Sequence, residues 1–294
     1  MNNEIRIAML GLDTSHVEAF AKLLHCPEEE YHVPGARIVR AWSGGSEDFP
    51  LSRDRVEGYT RLLREDYGVK ICENIDQTVA DVDAIMITAV DGRVHPELLG
   101  AVLSKGKPVY IDKPFATSTE EAERMVDQAD AAGCPLMSCS SLRYAAGLQN
   151  ILEEKSRADL FGADIFGPMA IEAPLPGYYW YGIHTAEMLV AAFGAGLKGV
   201  SVRNNDSHDV IVAEWKDGRI GTLRGNRVGN QRFGGVLHWS DESRFVDVYA
   251  HAKPYYANLL EAILPFFRRG ESPVPIQETL DVIRLLDEAN AGRR

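Results

Sequence analysis

Ile5 to Leu10 (IRIAML) is a nearly continuous apolar run, and Val17 to Leu24 beyond it carries apolar residues at helical spacing. The same alternation recurs. Ala36 to Trp42, Val82 to Thr88, Val109 to Ile111 and Pro135 to Ser140 read as strands buried on both faces. Arg53 to Tyr67, His95 to Ser104 and Thr119 to Ala132 read as helices between them, with Gly68, Gly106 and Gly133 as stops. Thr14 or Ser15 is placed to cap the first helix. Strands separated by helices predict right-handed βαβ units and a parallel sheet. Such sheets receive ligands at the carboxyl ends of their strands. Gly11–His16, Ser43–Ser46, Ala89–His95 and Asp112–Pro114 all fall there.

After about Tyr144 the pattern changes. Val200 to Asn204, Asp209 to Trp215, Arg219 to Asn226, Phe233 to Ser240 and Arg244 to His251 read as strands joined by short polar turns, among them Lys216-Asp-Gly218. Helices are expected at Tyr181 to Phe193, Tyr255 to Arg269 and Gln277 to Asn290. The expected architecture is therefore a parallel α/β domain, residues 1–142, followed by an α+β domain with a largely antiparallel open sheet, residues 143–294.

The chain has 294 residues, enough for two domains, with 45% hydrophobic and 25% charged residues. Its net charge of −12 argues against a polyanion binder, so no nucleic-acid partner is expected. Residues 1–142 hold 14 Lys/Arg against 24 Asp/Glu, a net of −10, so most of the acidity sits in the first domain. No run approaches a membrane span, and Met1 to Ile7 shows no signal-peptide pattern. Cys26, Cys72, Cys134 and Cys139 form no metal or redox motif and read as reduced thiols of a cytoplasmic protein.

The stretch Asp83 to Ala116 (DAIMITAVDGRVHPELLGAVLSKGKPVYIDKPFA), ending in Asp112-Lys113-Pro114, resembles the strand, helix and Glu-Lys-Pro loop of the Gfo/Idh/MocA oxidoreductases. Tyr67-Gly-Val, Arg143-Tyr144, Gly182-Ile-His184 and the closing helix add to the likeness. The resemblance implies a Rossmann-type first domain and a nicotinamide cofactor, NAD or NADP. It also implies a sugar or polyol substrate, and a homodimer or homotetramer built through the C-terminal sheet. It places Lys113 between nicotinamide and substrate hydroxyl, where a lysine can hold the reacting oxygen and share in proton transfer. Pro114 would fix that loop, with a cis bond as one option. His184 matches the family's proton-shuttling histidine, but Trp180 stands where many members have an aspartate four residues earlier; Glu187 is the nearby carboxylate.

The first loop departs from the pattern. A dinucleotide fingerprint reads G-x-G-x-x-G. Here Gly11 remains, while Asp13 and His16 take the second and third glycine positions. Either the helix N-terminus still holds a pyrophosphate, with Thr14, Ser15 and His16 as donors, or that site is reshaped. Asp13 either lies by the pyrophosphate or caps the helix and faces away. At the next strand end, Ser43, Ser46 and Arg53 can accept a 2′-phosphate, or Trp42 to Ser46 is an ordinary glycine loop.

The other candidates are less specific. His95 is expected to line the cofactor site. Arg143, Tyr179 and Trp180 are candidate substrate contacts, the aromatics as a stacking wall or as core. Arg224, Arg227 and Arg232 meet a substrate carboxylate or are surface residues. Asp13, His16, His95 and His184 are metal-ligating types, but no spacing requires a metal and none is expected. The reading is an NAD(P)-dependent oxidoreductase. The alternatives are a sugar lyase, epimerase or glycosidase with tightly bound NAD, or an inactive ligand sensor.

Overall fold

A computed structural model describes residues 4–293. Met1 to Asn3, on which the signal-peptide reading partly rests, lie outside them. The chain forms two compact units. One takes the chain up to Ala116, Glu120–Cys139 and Tyr256–Ile276; the other takes Thr117–Thr119, Ser140–Tyr255 and the chain from Gln277.

The first unit runs β1 (Ile5–Leu10), α1 (Ser15–His25), β2 (Ala36–Trp42), α2 (Pro50–Arg53), α3 (Val56–Glu65), β3 (Lys70–Ile71), α4 (Ile75–Thr78), β4 (Ala84–Ile87), α5 (His95–Val102), β5 (Val109–Ile111), α6 (Thr119–Ala131) and β6 (Leu136–Ser138). The six strands pair in parallel in the order β3-β2-β1-β4-β5-β6. The order reverses between β1 and β4, the switch point at which such sheets bind ligands. Ile7, Met9, Leu10, Ile85, Met86, Ile87, Val109, Tyr110 and Ile111 are fully buried, which is why these strands read as unbroken apolar runs. The helix expected over 53–67 is two pieces, α2 and α3. Pro50 opens the first, and the chain turns at Asp54 and Arg55 before the second. Gly68 (φ +65°) then lets the Val69 N–H return to the Leu63 carbonyl.

The second unit contains α7 (Ala146–Glu154), β7 (Leu160–Pro168), α8 (Gly182–Phe193), β8 (Leu197–Asn204), β9 (His208–Trp215), β10 (Ile220–Asn226), β11 (Gly234–Trp239) and β12 (Ser243–Asp247). Helix α9 (Tyr255–Arg269) then returns the chain to the first unit, and α10 (Ile276–Gly292) belongs to the second. The sheet order is β12-β11-β7-β10-β9-β8, and every pair is antiparallel except β7 with β10. Helix α8 packs on one face so closely that a Cβ on Gly221 of β10 would lie 2.5 Å from Leu189. The strand expected over 244–251 stops at Asp247, whose carboxylate accepts from the Tyr249 N–H and turns the chain. Among the described residues no helix is long and apolar enough to cross a membrane.

Candidate functional site

In the first unit the loop after β1 is pulled tight. Gly11 has φ +89°, and a Cβ there would meet Ala89 backbone atoms at 2.5 Å, so the close approach of this loop to the end of β4 requires glycine. Asp13 is buried and turned into the protein. Its Oδ1 accepts from the Val90 N–H (2.8 Å) and its Oδ2 from the Ser52 hydroxyl (2.6 Å). Ser52 Oγ in turn accepts from the Ser46 N–H (2.7 Å). Burial pushes the Asp13 carboxyl up, against these hydrogen bonds and the nearby His95. Asp13 therefore neither caps α1 nor faces outward; it ties the loops after β1, β2 and β4 together. Thr14 is the N-cap, accepting from the His16 N–H, and Ser15 is exposed in the first turn of α1.

His16 is buried, with Nδ1 hydrogen-bonded to Asp112 Oδ2 and its ring 4.9 Å from that of Tyr256 on α9. The two departures from the family pattern, histidine for glycine and aspartate for glutamate, thus meet. Burial alone would raise the Asp112 carboxyl. The His16 charge and hydrogen bond, the Lys113 charge and the Lys113 N–H outweigh it and hold the carboxyl below its usual range. Lys113 follows at the end of β5, 7% exposed. Burial lowers its ammonium below the usual lysine range; Asp112 opposes this and Arg55 adds to it. The Lys113–Pro114 bond is cis. His95 is fully buried, with Nδ1 2.8 Å from the Pro114 carbonyl and Nε2 2.8 Å from the Ala89 carbonyl. Each ring nitrogen thus faces a backbone carbonyl. The ring staples the Lys-Pro turn to the loop after β4.

The loop after β2 is already engaged. Ser43 Oγ lies 3.1 Å from Thr60 Oγ1, and Ser46 is buried with its hydroxyl on Asp91. Arg53 is exposed and donates to Asp54 and to the Glu47 carbonyl. Arg93 bridges Asp48 and the buried Asp91.

In the second unit His184, one turn into α8, has Nδ1 2.6 Å from Ser140 Oγ, and the rings of Tyr181 and Phe233 lie 5.8 and 5.3 Å away. Ser140 is fully buried, and its N–H donates to Glu187 (3.0 Å). Glu187 accepts from Arg143 Nε, and Arg143 Nη1 donates to Glu278 of α10 (2.7 Å). Burial pushes Glu187 up; the Arg143 charge and two hydrogen bonds pull the other way, and Glu278 adds to the rise. Arg143 is 5% exposed and holds two carboxylates. Tyr178 and Tyr179 are fully buried, and Trp180 is half-buried with its ring against Tyr181. Arg224 is exposed, Arg227 pairs with the buried Asp209, and Arg232 with Asp247.

Ser52, Asp91, Arg55, Ser140 and Phe233 are not among the site candidates of the sequence reading. Ser140 alone had a signal, its place just beyond the last parallel strand. The others act through partners tens of residues away. Among the described residues no three His, Cys, Asp or Glu side chains gather to hold a metal ion, and the four cysteines are free.

A parallel six-stranded sheet with a pinched glycine turn at its switch point is the architecture of a dinucleotide-binding Rossmann-type domain. Residues 5–139 match the family model described as oxidoreductase family, NAD-binding Rossmann fold (GFO_IDH_MocA). Over this segment the chain is similar to that NAD-binding family. An inositol 2-dehydrogenase of Paracoccus denitrificans is 34% identical over 99 residues, 33% of this chain and 29% of that protein. The curated relatives are matched over less than two fifths of their length. Two solved structures share the whole fold. The UDP-N-acetylglucosamine 3-dehydrogenase GnnA from Acidithiobacillus ferrooxidans has TM-score 0.77 at 14% identity, covering 98% of this chain and 99% of that one. GenD2 from gentamicin A biosynthesis, solved in complex with NAD, has TM-score 0.75 at 14% identity, covering 99% and 94%.

The chain's own residues fit a dinucleotide. Gly11 keeps the close turn, Ser15 faces outward on the first turn of α1, and the Asp13 carboxylate is drawn inward by Val90 and Ser52.

Proposed function

We propose that the protein is an NAD-dependent oxidoreductase acting on a secondary hydroxyl of a polyol or sugar, an inositol-like ring being the first class to try. The observation that carries this reading is Lys113: a buried lysine at the carboxyl end of β5, its ammonium lowered, beside an aspartate held ionised by His16. The nicotinamide, when bound, supplies the hydride acceptor. Lys113 donates a hydrogen bond to the reacting oxygen, and its lowered pKa eases its sharing of a proton with that oxygen. His184, aimed by Ser140, takes or returns the hydroxyl proton. Serine in place of a carboxylate orients the ring without adding negative charge. Arg143 acts through Glu187 and Ser140 rather than on substrate.

NAD is favoured over NADP. The hydroxyls after β2 are occupied, Arg53 is held by Asp54, and Glu47 and Asp48 are exposed nearby, a poor setting for a 2′-phosphate. The open face of the second sheet supports a homo-oligomer. Phe245, Val236, Asp164, Thr222 and Val212 form one row across five strands, with Phe245 61% and Ile220 53% exposed. Four free cysteines suit a cytoplasmic location.

The test is purified protein with NAD⁺ and a panel of inositols, sugars and sugar acids, read at the reduced-nicotinamide absorbance band. Turnover is expected with wild type, and Lys113→Met is expected to lose about 10²–10⁴ in rate while still binding NAD⁺. Failure to bind NAD⁺ overturns the reading. Trp180 at the usual aspartate position favours one second reading, a lyase or epimerase with retained NAD; product would then form without added nucleotide.

A further inference from the structure

Helix α8, which carries His184, covers the face of the second sheet on which Gly221 and Leu223 of β10 lie. Thr222, Arg224 and Asn226 alternate with these residues and point to the opposite face. On that face a cavity of about 550 Å³ lies at the Asn226 end of β10, a size typical of small-molecule sites. Strand register sets its floor, with Phe166 of β7 beside Arg224 and His208 of β9 beside Asn226. The turn after β10 forms its wall, through Val228 and Asn230. That turn is braced: the Arg227 N–H donates to the Ser207 carbonyl (2.9 Å), and the Arg227 guanidinium pairs with the buried Asp209.

Two groups at this cavity have unmet hydrogen-bonding capacity. Arg224 is exposed, and among the described residues its guanidinium makes no hydrogen bond or ion pair. Asp164, the carboxylate at the cavity, is already hydrogen-bonded to Thr222 and His238. His208 has its Nδ1 buried without a partner. Buried polar atoms are rarely left unpaired, and one in the wall of a cavity points to a bound molecule.

We propose that this cavity binds a small hydroxylated carboxylate, held through the Arg224 guanidinium with its carbon skeleton on Phe166 and Val228. A planar guanidinium pairs with a carboxylate through two parallel hydrogen bonds. One unpaired guanidinium balances a monoanion, while the Asp164 charge disfavours a dianion such as a phosphate monoester. Val228 is 52% exposed and offers apolar surface to the skeleton. Asn230 Oδ1 accepts from the Arg232 N–H (3.0 Å), which leaves its amide NH₂ to donate to a hydroxyl. The ligand is not the molecule on which His184 acts, because the sheet lies between them.

This inference does not depend on the dinucleotide reading, since every residue in it belongs to the second unit. The probes are quinate and gluconate, two hydroxylated carboxylates, with glucose 6-phosphate for comparison. Binding is measured by calorimetry for wild type, Arg224→Gln, Arg224→Lys and Lys216→Gln, an exposed lysine in the turn after β9 serving as control. Melting curves confirm that each variant is folded. Wild type is expected to bind at least one carboxylate, and Arg224→Gln to bind it about tenfold to a hundredfold more weakly. Arg224→Lys should recover part of the loss, and Lys216→Gln should match wild type. If wild type binds neither carboxylate, or Arg224→Gln binds as well as wild type, the inference is overturned; a carboxylate held at His184 would give the second result. Tighter Arg224-dependent binding of glucose 6-phosphate than of either carboxylate overturns the ligand class. The row proposed to meet a second copy borders the cavity through Asp164 and Thr222. If Arg224→Gln shifts sedimentation toward the monomer and wild type binds no carboxylate, the guanidinium serves a second copy and the inference falls.

Discussion

Asp13 stands at the second glycine position of the fingerprint, where the sequence leaves two fates open; its carboxylate is turned inward as in the second, but Thr14 and not Asp13 caps the helix. The Asp13 partners, Ser52 and Val90, are 39 and 77 residues away, so no local pattern announces them. A cap at Thr14 or Ser15, of which Thr14 is the one used, and Lys113's place at the strand end were legible, because capping and strand periodicity are local properties. The His16–Asp112 pair was half-legible: both residues stood out as departures, but only the fold brings them together. That pair gives a pH prediction. The Asp112 carboxyl is held below its unfolded value of 3.8, so its stabilisation is complete above about pH 4 and is lost as the pH falls through the folded value. Asp112→Asn is expected to lower unfolding stability by about 2–4 kcal/mol at pH 7. In urea titrations the gap from wild type should narrow as the pH is taken progressively below 4; a gap that stays the same size as the pH falls would refute the assignment.

Among the elements, β1, β2, β4, β5 and β6 of the first unit and the α8, α9 and α10 helices lie where the periodicity put them, within a few residues, while the two-residue β3 did not show. β7 did not show either. Leu160-Phe-Gly-Ala-Asp-Ile-Phe-Gly-Pro breaks its alternation with two glycines and a proline, yet it is a central strand of its sheet. Gly167 is needed there: a Cβ on it would meet the Phe233 ring at 2.3 Å. Packing in three dimensions overrode the local pattern. The turn Ser141–Tyr144, α8 and α10 are held together by Arg143 through Glu187 and Glu278. Arg143→Met removes the shared cation from two buried carboxylates. It is expected to cost about 3–5 kcal/mol in urea unfolding. The deficit should shrink as the pH drops, since burial already favours a protonated Glu187. A loss below about 1 kcal/mol would mean that the network contributes little.

For the whole molecule, the open face of the second sheet leads to a prediction about assembly. Phe245 stacks on Phe166 at 6.2 Å yet remains 61% exposed, on the edge strand at one end of the row that runs through Val236, Asp164, Thr222 and Val212. Phe245→Asp should shift sedimentation of the protein toward the monomer while leaving its melting temperature within a few degrees, as expected of a surface position. An unchanged sedimentation coefficient would show that this face is not the contact between copies. The division of the molecule into two units carries a different consequence, one of timing. The first unit is interrupted: after Cys139 the chain builds most of the second unit before Tyr256–Ile276 completes the first. Tyr256 lies against His16 and Phe20. A nascent chain emerging from the ribosome therefore has all six strands of the parallel sheet long before it has the helix that seals His16. Until α9 is synthesised, the His16–Asp112 pair behind Lys113 lacks one of its walls. The lysine site is completed only late in translation, by a part of the chain that follows most of the second unit.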